Sequence, residues 1–270
     1  MDAESGRALR ELLASEPEAL MKPGCPSGRP FPVLVKWLDC AGRLSLQVHA
    51  LAEVAAEFEG ESKTECRYIS ESAQDSGLIV GLRDGVTKEQ FAEAIESEGL
   101  ELLLHRFPVA AGESIPRESG RLHTIDAGNL ILEIEQNFDT TYRVCDWARV
   151  GLGGKPRDLH VAESLASIDF DEVDPQPTAA FPEPGKGVLA EREEFRIRKA
   201  NLAPGRRFEH PAQRQLLIVS VGRGQVVNED TNPALRYGAN LLAPYSVAGR
   251  LGASEGASLL VTDRLFVPGR

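Results

Sequence analysis

From Val33 onward, apolar and polar positions alternate in short runs. VLVKWLDC, LSLQVH, TECRYI, SGLIVGL, NLILEIEQN and TTYRVCDW follow one another, separated by turn signals, a pattern that predicts an all-β sandwich or barrel. In LSLQVH (44–49), period-two alternation sends Leu44, Leu46 and Val48 to one face and Ser45, Gln47 and His49 to the other. Solvent is the simplest occupant above such a polar face. Helical spacing occurs in only a few places. Residues 5–15 put Leu9, Leu12 and Leu13 on one side of a short helix. Thr87 with Gln90 forms a capping box ahead of Phe91, Ala94 and Ile95, and LELLL (100–104) is expected to pack beside that helix.

The texture changes at DEVDPQPTAAFPEPGKG (171–187), where closely spaced prolines disfavour a packed element. Beyond it, FRIRKANL, QLLIVSV, GQVVNE, NLLAPYSV and SLLVTDRL again read as short strands. The expected organisation is a helical lead-in over 1–28, a larger β-domain over 29–172, a proline-rich linker over 173–187 and a smaller β-domain over 188–270.

Composition narrows the class. The chain has 270 residues, 42% of them hydrophobic, enough for one large or two small cores. A net charge of −11 with no basic stripe argues against a nucleic-acid partner. Membrane insertion is not expected either, because no long apolar run occurs, and the charged start MDAESGRALRELL is unlike a signal peptide. Cys25, Cys40, Cys66 and Cys145 are scattered without a CxxC pair, which predicts reduced, mostly buried thiols and a cytoplasmic protein.

Chemistry that can meet the polar face of LSLQVH comes from three further segments. SKTECRY sets Lys63, Glu65 and Arg67 on one side of a strand. GESIPRESGRLHTI leads through Gly120 to His123, as a turn does when it delivers an imidazole to a strand start. NLILEIEQNFDTTYRVCDW places Glu133 opposite Leu132 and Ile134, and Arg143 opposite Tyr142 and Val144. Gln47, His49, Glu65 and His123 together form an N/O donor set that suits Zn²⁺, with Fe²⁺, Mn²⁺ and Co²⁺ as rivals. Spacing alone does not assemble the set, and each residue taken singly also reads as a hydrogen-bonded interior histidine or a solvated carboxylate.

VLVKWLDCAGRLSLQVH, KTEC followed by Arg67 and Tyr68, GESIP, GRLHTI, GNLILEIEQNFDTTYRVCDWAR and KPRDLHV together resemble the type I mannose-6-phosphate isomerase family of zinc-dependent cupins, over roughly residues 31 to 170. The resemblance implies a mainly β chain. A cupin-type jelly roll with a short helical insertion would bind one Zn²⁺ through Gln47, His49, Glu65 and His123, and a second, smaller cupin-like β-domain would lack metal ligands. It further implies that Lys63, Glu133 and Arg143 line the same cavity; Glu133 is the candidate base, and Arg143 and Lys63 are each candidates to stabilise the enediolate or to hold the phosphate. Interconversion of mannose 6-phosphate and fructose 6-phosphate through an enediol is the implied reaction, with the sugar phosphate as small-molecule partner. Arg149, Lys155 and Arg157 follow on a loop, and each reads most simply as a solvated charge.

Several positions depart from the family pattern. Ala50, Leu51 and Ala52 follow His49 where proline and acidic residues are usual, and Arg67 replaces an aromatic. The turn before His123 is longer by two, and the usual Trp- and Gly-rich lead-in is short, so the rim of the site is expected to be differently built. These changes keep open an alternative, a sugar-phosphate-sensing cupin that retains the metal with little turnover. A metal-dependent oxygenase is a third reading.

Overall fold

The computed structural model describes residues 6–97, 99–151, 153–171, 177, 186–213 and 215–265. Two compact units form, one spanning Val35–Ala180 and the other combining Met1–Leu34 with Phe181–Arg270. Apart from Pro177, Lys186 and Gly187, the linker expected at 173–187 lies outside the described residues.

Helices α1 (Leu9–Ser15) and α2 (Pro17–Leu20) come first. They are followed by β1 (Val33–Cys40), β2 (Leu46–Val48), α3 (Ala52–Ala55), β3 (Glu65–Ser72), β4 (Gly77–Leu82), α4 (Lys88–Ile95), β5 (Leu104–Pro108) and β6 (Ser114–Arg117). Next are β7 (His123–Ile125), β8 (Asn129–Gln136), β9 (Tyr142–Cys145) and α5 (Val161–Ser167). One sheet runs β1-β8-β3-β6 and the other β5-β4-β7-β2-β9, so the chain crosses between sheets at nearly every connection. This is the jelly-roll order, and the expected mainly β, cupin-type fold is present.

Two apolar layers hold this unit together. Cys40, Ile69, Leu78, Val80, Phe107, Ile115, Ile125 and Ile131 form one. Leu46 and Val48 join the other, with Phe91 of α4, Leu104, Leu122, Val144 and Ile168. The helical insertion starts as its capping box requires: Gln90 N–H donates to Thr87 Oγ1 at 3.3 Å, and Thr87 N–H donates to Gln90 Oε1 at 3.0 Å. Leu100 and Leu104 pack with Phe91, whereas Leu102 faces water. One position breaks the expected alternation. Leu44 packs beside the Ile125 layer rather than with Leu46 and Val48, because regular pairing of β2 starts only at Leu46 and shifts register at Gln47.

The second unit holds β10 (Lys186–Glu191), β11 (Arg196–Leu202), β12 (Arg207–His210), β13 (Leu217–Arg223) and β14 (Gln225–Asn228). It is completed by β15 (Ala234–Arg236), β16 (Asn240–Ala243), β17 (Gly249–Gly252) and β18 (Ala257–Asp263). Its sheets run β10-β11-β18-β13-β16 and β12-β17-β14-β15, around Leu202, Val219, Val221, Val226, Leu251, Leu259 and Val261. The N-terminal helices belong to this unit, with Tyr245 N–H donating to Leu20 O and Ser246 N–H to Ala19 O.

Without β9 and β10, the two strand orders coincide element by element. The agreement extends to register. Strands β3 and β8 pair from Glu65↔Glu135 to Ile69↔Ile131 and then slip by one residue before Glu71. Strands β13 and β18 pair from Ile218↔Thr262 to Val221↔Leu259 and slip in the same way before Arg223. Both units are therefore built on one jelly-roll plan down to the bulge.

Candidate metal centre

The polar face around β2 is largely covered, with Ser45 and His49 buried and Gln47 half-buried. Its neighbours β7 and β9 set Gln47 opposite His123 on one side and opposite Arg143 on the other, so these side chains leave the sheet on one face. His49 follows at the strand's end, and Glu65 begins β3. Donor atoms of His49, Glu65 and His123 all lie within 4.8 Å of one another, and all three residues are buried. His49 Nε2 meets Glu65 Oε2 at 3.0 Å, and the two imidazole centroids are 5.0 Å apart.

Local structure fixes the His123 ring. Its Nδ1 lies 2.8 Å from the Arg121 carbonyl, which can only accept, so Nδ1 carries the proton. Nε2 is left as a buried lone pair with no hydrogen-bond partner among the described residues. An orphaned buried acceptor beside a second imidazole and a carboxylate is what a divalent metal satisfies, so the residues fit the ion expected for them. Gly120 sets the approach to this ring. It holds φ +84°, and its N–H donates to His49 O at 2.9 Å. A Cβ there would lie 2.5 Å from Leu51 Cδ2.

A second cluster shares Glu65. Glu65, Glu133 and Glu135 offer carboxylate oxygens within 4.8 Å of one another, all buried. Three like charges this close require counter-charges. Arg67 Nε lies 2.6 Å from Glu133 Oε2 and 3.2 Å from Glu65 Oε1. Lys63 Nζ lies 2.8 Å from Glu135 Oε2. Lys36 Nζ pairs with Glu135 and lies 3.6 Å from Glu133 Oε1. Burial opposes charge on Arg67, but Glu65 and Glu133 outweigh it and raise the guanidinium above its ordinary value. The same contest, decided by Glu135 and Glu133, raises Lys36.

Lys63, Glu65 and Arg67 share a face as expected, and Glu133 joins them. Lys36 and Glu135 were not singled out from the sequence. Signals existed, since Lys36 interrupts an apolar strand and Glu135 follows Glu133 at the same-face spacing. Arg143 is half-buried. Its Nη1 donates to Asp158 O at 2.8 Å, and its Nε is buried with no partner among the described residues. Burial, followed by the nearby Arg157, lowers its pKa. Arg149 and Arg157 are not the merely solvated charges expected of them, because both converge on the buried Asp146. Cys40, Cys66 and Cys25 are buried free thiols and Cys145 is half-buried. Burial pushes Cys40 up to about 11, keeping it protonated at neutral pH.

No family model matches the chain. Individual relatives do. Over 247 residues it is 34% identical to the curated "Probable mannose-6-phosphate isomerase GmuF" of Bacillus subtilis (strain 168), covering 89% of this chain and 76% of that protein. The chain belongs to the mannose-6-phosphate isomerase family. The crystal structure of the Bacillus subtilis mannose 6-phosphate isomerase superposes with a TM-score of 0.81 at 29% identity, covering 95% of this chain and 82% of that one. A zinc-bound mannose 6-phosphate isomerase structure shares the fold, with a TM-score of 0.73 at 16% identity over 96% and 86% of the two chains. Among the described residues no helix is long and apolar enough to cross a membrane.

Proposed function

We propose that this chain interconverts mannose 6-phosphate and fructose 6-phosphate, using one Zn²⁺ held by Gln47, His49, Glu65 and His123. One observation supports this most: the His49–Glu65–His123 donor set and the Glu65–Glu133–Glu135 carboxylate set meet at Glu65 inside one buried site. The first set suits a metal and the second supplies a base. A bound zinc ion contributes Lewis acidity, worth several kcal/mol to charge developing on the substrate oxygens.

The remaining work falls to side chains. Glu133 takes the proton from C2 of the aldose and returns it to C1 of the enediol while the hydroxyl proton of O2 passes to O1, and the reverse reaction uses the same carboxylate. Arg67 and Lys36, at 2.6 and 3.6 Å, pair with Glu133 and orient it for that transfer. Lys63 is committed to Glu135 at 2.8 Å, so in this reading it shapes the field of the cavity and steadies the oxyanion. Arg143, with an unpartnered Nε and a planar fork, grips the phosphate. A cytoplasmic location and the absence of nucleic-acid or membrane partners belong to the same reading, supported by the free cysteines and the net charge of −11.

The competing reading is a sugar-phosphate sensor with little turnover. It draws on the Arg67–Glu133 pair, which engages the base before substrate arrives. A coupled assay of fructose 6-phosphate formation, on metal-stripped protein and after adding Zn²⁺, separates the two. Turnover that appears with metal supports the isomerase, and zinc binding without turnover supports the sensor.

A further inference from the structure

We propose that the second jelly roll carries an anion pocket of its own, at the place the metal centre occupies in the first, and that it takes a small phosphate monoester. The correspondence follows from register. Counting back from the shared bulge, Glu65, Glu133 and Glu135 correspond to Leu217, Val261 and Asp263, and Lys63 corresponds to Gln215. Matching connections into β8 and β18 set His123 against Leu251. The pairs Gln47↔His123 and Phe208↔Leu251 then set Gln47 against Phe208 and His49 against His210. Apolar side chains thus replace every proposed metal ligand except His49, whose counterpart His210 is buried and pushed below its ordinary pKa by that burial. This barrel lacks that donor set and has open space beside His210 instead.

What remains is a cavity of about 430 Å³ whose lining includes Arg196, Arg198, His210, Gln215, Leu217 and Arg264. One corner repeats the first barrel. Glu135 is held there by Lys36 and Lys63, and here the fully buried Asp263 is held by Arg196 at 2.8 and 3.0 Å, by Gln215 at 3.2 Å and by Arg198. Asp263 neutralises one guanidinium, and Glu191 pairs with Arg264. Glu209, also on the lining, sits across the strand pair from Arg250. Arg250 is itself held by Asp230 at 2.7 Å, so Arg196, Arg198 and Arg264 face the three carboxylates of Asp263, Glu191 and Glu209, and Arg198 Nε is a buried donor with no partner among the described residues. A cavity of this size with convergent guanidinium forks and a spare donor matches the tetrahedral oxygens of a phosphate monoester. Without the counterparts of His123, Glu65 and Glu133, it binds and does not turn over.

The test uses the full-length, zinc-loaded protein with inorganic phosphate as probe. Phenylglyoxal labelling of arginines is read by peptide mass spectrometry, with potassium chloride at matched ionic strength as control. The expected result is a several-fold fall in labelling of Arg196, Arg198 and Arg264 with phosphate but not with chloride. In Arg198→Gln, protection of Arg196 and Arg264 is lost while isomerase kcat is unchanged. If Arg198→Gln melts early, Arg264→Gln at the rim gives the same readout through Arg196 and Arg198. Labelling that ignores phosphate, or protection that survives both substitutions, overturns the proposal. Neither outcome bears on the metal centre, whose assay is separate.

Discussion

Replacing Arg67 by methionine removes a charge from the centre of the site while roughly keeping its volume. The guanidinium is fully buried and lies 2.6 Å from Glu133 and 3.2 Å from Glu65. Breaking a buried ion pair from one side costs about 3–5 kcal/mol. Lys36 remains 3.6 Å from Glu133 and offsets part of this, so the metal-free variant is expected to lose about 3 kcal/mol. The zinc-loaded variant loses less, because the ion and the guanidinium compete for Glu65. A divalent ion and a guanidinium sharing one carboxylate repel by several kcal/mol at an effective dielectric constant of about 20. If relaxation leaves about 1.4 kcal/mol of that, zinc binds roughly tenfold more tightly to Arg67→Met than to the parent. Urea unfolding of metal-free and zinc-loaded protein measures the first quantity, and chelator competition measures the second. A loss below about 1 kcal/mol in the metal-free protein, or weaker zinc binding, refutes the electrostatic argument.

Further outcomes follow from the same geometry. Glu133→Gln is expected to keep zinc content near normal, by elemental analysis, while lowering kcat about 10²–10⁴-fold; retained turnover removes Glu133 as the base. Gly120→Ala forces a Cβ to 2.5 Å from Leu51 at a left-handed φ. A stability loss of about 1–3 kcal/mol with weaker zinc binding is expected, and an unchanged melting curve contradicts it. The Asp146 carboxyl is held below its ordinary 3.8 by its hydrogen bond from Arg157, then by Arg149. Its folded pKa is depressed, so its contribution is present above the unfolded value and disappears as pH falls through the folded one. The gap in urea midpoint between the parent and Asp146→Asn should therefore narrow from pH 7 to pH 3, and a gap that widens contradicts the sign.

Residues within one strand were the most legible. Alternation put Gln47 beside His49 and lined up Lys63, Glu65 and Arg67, and the Thr87 capping box marked α4, because those relations are local and periodic. Relations between strands were not. That Arg67 faces Glu133 depends on the β3–β8 register, and that Arg149 and Arg157 share Asp146 depends on a loop closing back on itself. Lys36 had a signal, a lysine inside an apolar run, but its partner Glu135 lies 99 residues away. Leu44 went astray because alternation assumes an unbroken strand. A second cupin-like unit was expected, but its residue-by-residue match to the first was hidden for a different reason: Phe208, Leu217 and Leu251 resemble ordinary core residues, and only shared strand order and bulge position reveal which positions they correspond to.

In the proposed reading His49, Glu65 and His123, with Gln47, hold the metal on which sugar-phosphate isomerisation depends. The most direct measurement pairs zinc content with turnover in the parent and in His123→Ala, each stripped of metal and titrated with Zn²⁺. Parent activity is expected to rise with bound zinc and saturate at one ion per chain, and His123→Ala is expected neither to retain zinc nor to regain activity. Full activity in metal-stripped parent, or a His123→Ala variant that binds zinc and turns over normally, would contradict it.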